Sequence, residues 1–104
     1  MHEMNLAKKI VKKAKKLGAT KEIVISVGEL VDVFPNEIKE VIERLSSFNV
    51  KVIEEKAKVK CECGFEGRPK ILNKEHGFVF YVCPNCGKIP KAVKGNKIKI
   101  IQVK

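Results

Sequence analysis

Tryptophan is absent from these 104 residues, and the chain has one Tyr, one Asp, one Thr, one Gln, two Arg and two His. Two histidines and one aspartate leave little from which to assemble a Ser-His-Asp set. No Gly-rich phosphate loop is present either, so the chain reads as something other than an enzyme. Long apolar runs are also missing: spanning a bilayer takes roughly 20 residues, and no stretch approaches that. No transmembrane helix is expected. The N-terminus passes from His2 and Glu3 to lysines at Lys8 without a hydrophobic leader, which points to the cytoplasm. A chain of this length has room for one compact domain and a satellite too small to build its own core.

Charge, by contrast, is plentiful. The formal net charge is +10, with 13 basic against 9 acidic side chains in residues 1–60 and 9 against 3 in residues 61–104. Leu6, Ile10, Val11, Ala14 and Leu17 recur at helical spacing with lysines around the rest, an amphipathic helix over residues 3–17 closed by Gly18. From Lys21 to Gly28, Ile23, Ile25 and Val27 alternate with Glu22, Val24 and Ser26, the period of a strand. Pro35 suits the first turn of a second helix, Glu37 and Glu40 suit its early turns, and Ile38, Val41, Ile42 and Leu45 form its buried stripe. Val50 to Lys60 is strand-like, but its apolar parity switches between Val52 and Ala57. A bulge or break is therefore expected near Glu54. Lys97 to Val103 returns to a strand pattern and is expected to pair with an earlier strand.

Between these stretches the texture changes. Cys61-Glu62-Cys63-Gly64 and Cys83-Pro84-Asn85-Cys86-Gly87 form two close thiol pairs, which in a reducing compartment suit a metal better than disulfides. Four thiolates can close a tetrahedral zinc shell, and a glycine after each pair lets backbone N–H groups turn toward the sulfurs. A module this small would draw its folding free energy from the metal. The first pair is C-x-C, one residue shorter than the usual knuckle. That opens a second ligand set in which His76 replaces Cys61, and iron is a rival metal because thiolate tetrahedra bind both.

The opening residues offer a different donor set. The Met1 amine, the His2 amide nitrogen and the His2 ring nitrogen can close fused chelate rings on one ion, an arrangement suited to Ni²⁺ or Cu²⁺, with Glu3 offsetting charge or completing the shell. The competing reading is a frayed terminus. Asp32, ahead of Pro35, reads either as a further oxygen ligand or as a loop carboxylate near a helix N-terminus.

Taken together, the Met1-His2-Glu3-Met4 start, the Val27-Gly28-Glu29-Leu30 segment before the second helix and the cysteine ribbon before a final strand resemble the HypA family of NiFe-hydrogenase nickel metallochaperones. The likeness covers nearly the whole chain and departs from the family at the C-x-C knuckle. It implies transferable nickel at Met1, His2 and Glu3 and structural zinc at Cys61, Cys63, Cys83 and Cys86. It also implies delivery of nickel to the hydrogenase large-subunit precursor, with a HypB-type GTPase as partner.

The fold expected is α+β: two helices on a small mixed three-stranded sheet, residues 1–60 plus 97–104, with an inserted zinc-ribbon module at residues 61–96. A zinc-ribbon nucleic-acid-binding protein is the alternative function, since lysines on the first helix and Arg68, Lys70, Lys88, Lys91 and Lys94 could neutralise phosphates. Against it, the lysines surround both parts, and aromatic residues do not interleave with them as stacking platforms would.

Overall fold

A computed structural model of the chain describes residues 2–75 and 77–104, and for His2 and Glu3 it describes the backbone alone. The elements are α1 (His2–Lys16), β1 (Glu22–Gly28), α2 (Pro35–Leu45), β2 (Asn49–Glu55), β3 (Lys58–Lys60), β4 (Glu66–Gly67), β5 (Lys70–Glu75), β6 (Phe78–Val82), β7 (Lys91–Lys94) and β8 (Ile98–Val103).

The helical stripe of α1 buries Ala7, Ile10, Val11 and Ala14, with Leu6 packed at its margin. Leu17, expected on that stripe, is 53% exposed. It falls beyond the last helical residue, where Gly18 at φ +92° turns the chain away. Ala19 N–H bonds to Ala14 O at 3.0 Å and Gly18 N–H to Lys15 O at 3.1 Å. This pair of bonds satisfies carbonyls that the helix end leaves open and needs a left-handed residue at the turn.

β1 is the centre of a mixed sheet ordered β2-β1-β8. It runs parallel to β2, from Glu22 opposite Asn49 to Gly28 opposite Glu55, and antiparallel to β8, with a bulge between Val24 and Ile25. Ile23, Ile25 and Val27 have no exposure and join the α1 stripe and Ile38 and Ile42 of α2 in one core. Both helices thus cover one face of the sheet. Burying each such side chain contributes about 1.5–3 kcal/mol. Pro35 opens α2 at its first turn, and at its other end Ser46 Oγ donates to Ile42 O at 2.8 Å. The C-terminus is tied in: Thr20 and Lys21 N–H donate to Lys104 O at 2.8 and 2.7 Å.

The parity switch in residues 50–60 becomes a change of sheet. Pairing with β1 ends at Glu55, and from Lys58 the chain belongs to a second sheet ordered β4-β3-β7, with Ala57 and Val59 buried. β3, which the sequence reading groups with the helical part, is the middle strand of that sheet. β5 and β6 form a separate two-stranded hairpin.

At the junction of the two parts the backbones meet closely. A Cβ on Gly28 would lie 2.3 Å from the Gly95 carbonyl carbon, and one on Gly95 would lie 2.6 Å from Ala57 Cα. Only hydrogen atoms fit between these chains. Glu29 fastens the crossing: its carboxylate accepts two bonds from Arg68 Nη2 at 2.9 and 2.8 Å and one from Ala57 N–H at 3.0 Å. Lys74 Nζ donates to Glu29 O at 3.3 Å and stands 5.4 Å from the Phe34 ring centroid. Glu55 Oε1 accepts from Gly95 N–H at 3.0 Å.

Candidate metal centre

The two thiol pairs sit on turns of the same plan and different length. In the first, Gly64 N–H donates to Cys61 O at 3.0 Å and Cys61 N–H to Phe65 O at 2.9 Å; in the second, Gly87 N–H donates to Cys83 O at 2.9 Å and Cys83 N–H to Lys88 O at 2.8 Å. Each turn reverses at the glycine following its second cysteine, Gly64 at φ +96° and Gly87 at φ +77°. The missing residue of C-x-C thus shortens the turn by one position without removing its closing bonds. Strand pairing of β3 with β4 and β7 then brings both turns to one end of the sheet.

The four sulfurs lie within 4.8 Å of one another, with Cys61 Sγ 3.5 Å from Cys86 Sγ and Cys63 Sγ 3.7 Å from Cys83 Sγ. A tetrahedral zinc with Zn–S bonds of about 2.3 Å requires sulfurs about 3.8 Å apart. The donor set and its spacing fit that ion, and no cysteine is paired as a disulfide. Cys61 and Cys83 face inward, at 7% and 1% exposure, while Cys63 and Cys86 face solvent. The geometry includes Cys61 in the cluster despite the short knuckle; His76 lies outside the described residues.

Thiol acidities within the cluster diverge. The Asn85 side-chain amide, donating to Cys63 Sγ at 3.5 Å, and the Phe65 N–H draw the Cys63 thiol down to about 6. Cys61 receives the Cys63 N–H, which favours its thiolate, but burial and the thiols of Cys86, Cys63 and Cys83 together push it up to about 12. Without a cation, packed sulfurs cannot all ionise, and a divalent ion at their centre removes the conflict. Asn85 as donor to Cys63 was not singled out by the sequence. Its only sequence signal is its place inside the C-P-N-C turn.

The other candidate site is only partly within view. Met1 lies outside the described residues, and although His2 and Glu3 open α1, their side chains lie outside them as well. Asp32, in the β1–α2 connection, lines the same depression of about 390 Å³ as Leu6 of α1 and Asn96. Its loop therefore stands beside the first turns of α1. Among the described residues, the four cysteines are the one group of three or more Cys, His, Asp or Glu donors converging on a point.

Comparison with known proteins bears on this arrangement. Residues 1–104 match the family model described as hydrogenase/urease nickel incorporation, metallochaperone, HypA. The hydrogenase maturation factor HypA of Methanothermobacter thermautotrophicus (strain Delta H) is 30% identical, over 84% of this chain and 81% of its own. The solution structure of the Ni metallochaperone HypA from Helicobacter pylori has a similar fold, with a TM-score of 0.59 and 20% identity over 96% of this chain and 93% of that one. A second HypA solution structure matches at a TM-score of 0.52 and 20% identity, covering 96% of this chain and 88% of the other. By its whole-length match and its curated relative, the chain belongs to the HypA family of nickel-incorporation metallochaperones.

Proposed function

We propose that the chain takes up Ni²⁺ at its N-terminus and delivers it to the NiFe-hydrogenase large-subunit precursor in the cytoplasm, with a HypB-type GTPase as partner. The Met1 amine and the His2 amide and ring nitrogens would hold the ion, and Glu3 would offset its charge. Zinc would occupy Cys61, Cys63, Cys83 and Cys86 and supply folding free energy, with no part in transfer.

The observation that carries the reading is the division of donors. Four sulfurs close on one point and leave no open position, which suits permanence. A terminal chelate with exchangeable positions suits a cargo passed on by ligand substitution. The M. thermautotrophicus relative is named as a hydrogenase maturation factor, which favours hydrogenase as recipient. Among the described residues no helix is long and apolar enough to cross a membrane.

The test compares Ni²⁺ binding by the untagged protein, His2→Ala and a form extended by a few residues before Met1. Loss of binding in both variants is expected. An extended form that binds as tightly as the native one sinks the terminal chelate.

A further inference from the structure

The outer face of the β4-β3-β7 sheet concentrates one charge in a way its own fold does not call for. Val59 of β3 points inward with no exposure, so Lys58 and Lys60 point outward. Their partners across β7 are Lys94 and Lys91. Directly opposed side chains lie about 5 Å apart at Cβ, where like charges repel. One carboxylate relieves the face: Glu66, opposite Lys60 on β4, reaches Lys58 Nζ at 3.3 Å.

Lysine on an edge strand discourages unwanted chain pairing, and Pro90 with Lys91 and Lys94 fits that account for β7. It does not reach Lys58 and Lys60, which sit on the central strand. Next to them is a depression of about 570 Å³ lined by Lys60, Lys88, Ile89, Pro90 and Lys91, with Cys61 and one carboxylate, Glu62, completing the lining against three lysines. Ile89 is 74% exposed, and Val93, inserted by the β7 irregularity, is 50% exposed.

We infer that this face docks an acidic protein segment, its carboxylates against Lys58, Lys60, Lys91 and Lys94 and an aliphatic side chain against Ile89. Aliphatic contact ringed by charge is the plan of a protein interface. The residues of this face include neither Arg nor an aromatic ring, the groups on which nucleic-acid recognition draws for base contacts and stacking. The inference deepens the carrier reading and rests on it for the class of partner, a protein.

The test uses the full-length zinc-loaded protein and two labelled probes at low salt, a peptide alternating Glu with Leu and a single-stranded oligothymidylate, read by fluorescence anisotropy. Lys91→Gln/Lys94→Gln is compared with Lys12→Gln/Lys16→Gln on α1, which removes equal charge elsewhere. The β7 pair is expected to weaken peptide binding about tenfold and the α1 pair less than about twofold. Its thermal midpoint should not fall, because the Lys–Lys oppositions are gone. Equal losses, no peptide binding by the native chain, tighter binding of the oligonucleotide or a lowered midpoint each overturn the inference. Nickel titration of the same variants should match the native protein, so a failure here is distinguishable from a failure of the carrier reading.

Discussion

Cutting the Glu29–Arg68 link should loosen the junction between the helical part and the cysteine module by an amount the contacts allow one to apportion. Arg68→Ala removes an ion pair in which one nitrogen, Nη2, is shared between both Glu29 oxygens, with the arginine side chain 54% exposed and the carboxylate side chain 12% exposed. Screening at the exposed end keeps the cost near about 1 kcal/mol. Glu29→Ala removes the same pair and also leaves the Ala57 N–H without its acceptor. An orphaned donor adds about 1–3 kcal/mol, giving about 2–4 in total. For a chain of this size each kcal/mol corresponds to about 4–8 °C in Tm. Because Arg68 acts through Glu29, the double variant should cost no more than Glu29→Ala, to within about 0.5 kcal/mol. Urea unfolding of the four zinc-loaded proteins measures this. Fully additive costs, or Arg68→Ala as damaging as Glu29→Ala, would refute the assignment.

Other expectations follow from the same geometry. Gly28→Ala should destabilise the protein by several times the roughly 1–2 kcal/mol of Gly18→Ala: the latter meets open space and pays only for a left-handed backbone, whereas the former meets the Gly95 backbone at 2.3 Å; equal losses in chemical unfolding would contradict this. Cys83→Ser should release zinc and abolish amide protection in residues 58–94 while sparing α1 and β1 in hydrogen exchange, and protection lost equally along the chain would contradict a separate module. Acid should strip the zinc. The depressed Cys63 thiol favours the clustered state above its ordinary value of 9.0, and this advantage is lost as pH falls through about 6. Protons compete with the ion for all four thiolates, so a chromophoric chelator should find zinc release growing as pH falls; release independent of pH would contradict thiolate ligation.

Much of this architecture was legible because its signals are local. Gly18 and Pro35 placed helix ends to within a residue or two, and the alternation of Ile23, Ile25 and Val27 marked a buried strand. The parity switch after Val52 announced a break that the chain resolves as a change of sheet at Lys56 and Ala57. What stayed hidden depends on partners distant in sequence. Glu29 stands in a segment that the sequence singles out, yet its role needs Arg68, 39 residues on. Cys61 was expected in the cluster, with His76 open as its substitute because the spacing is one residue short; what brings Cys61 into place is the reversal at Gly64 and the pairing of β3 with β7.

The central claim is that the free amino end holds the transferable ion while the sulfur cluster keeps its own. Anomalous diffraction at the nickel edge, from crystals of the zinc-loaded protein grown with Ni²⁺, measures this directly. The account predicts a nickel peak in contact with the His2 ring and the Met1 amine. Nickel among the four cysteines, or elsewhere with the His2 imidazole vacant, would contradict it.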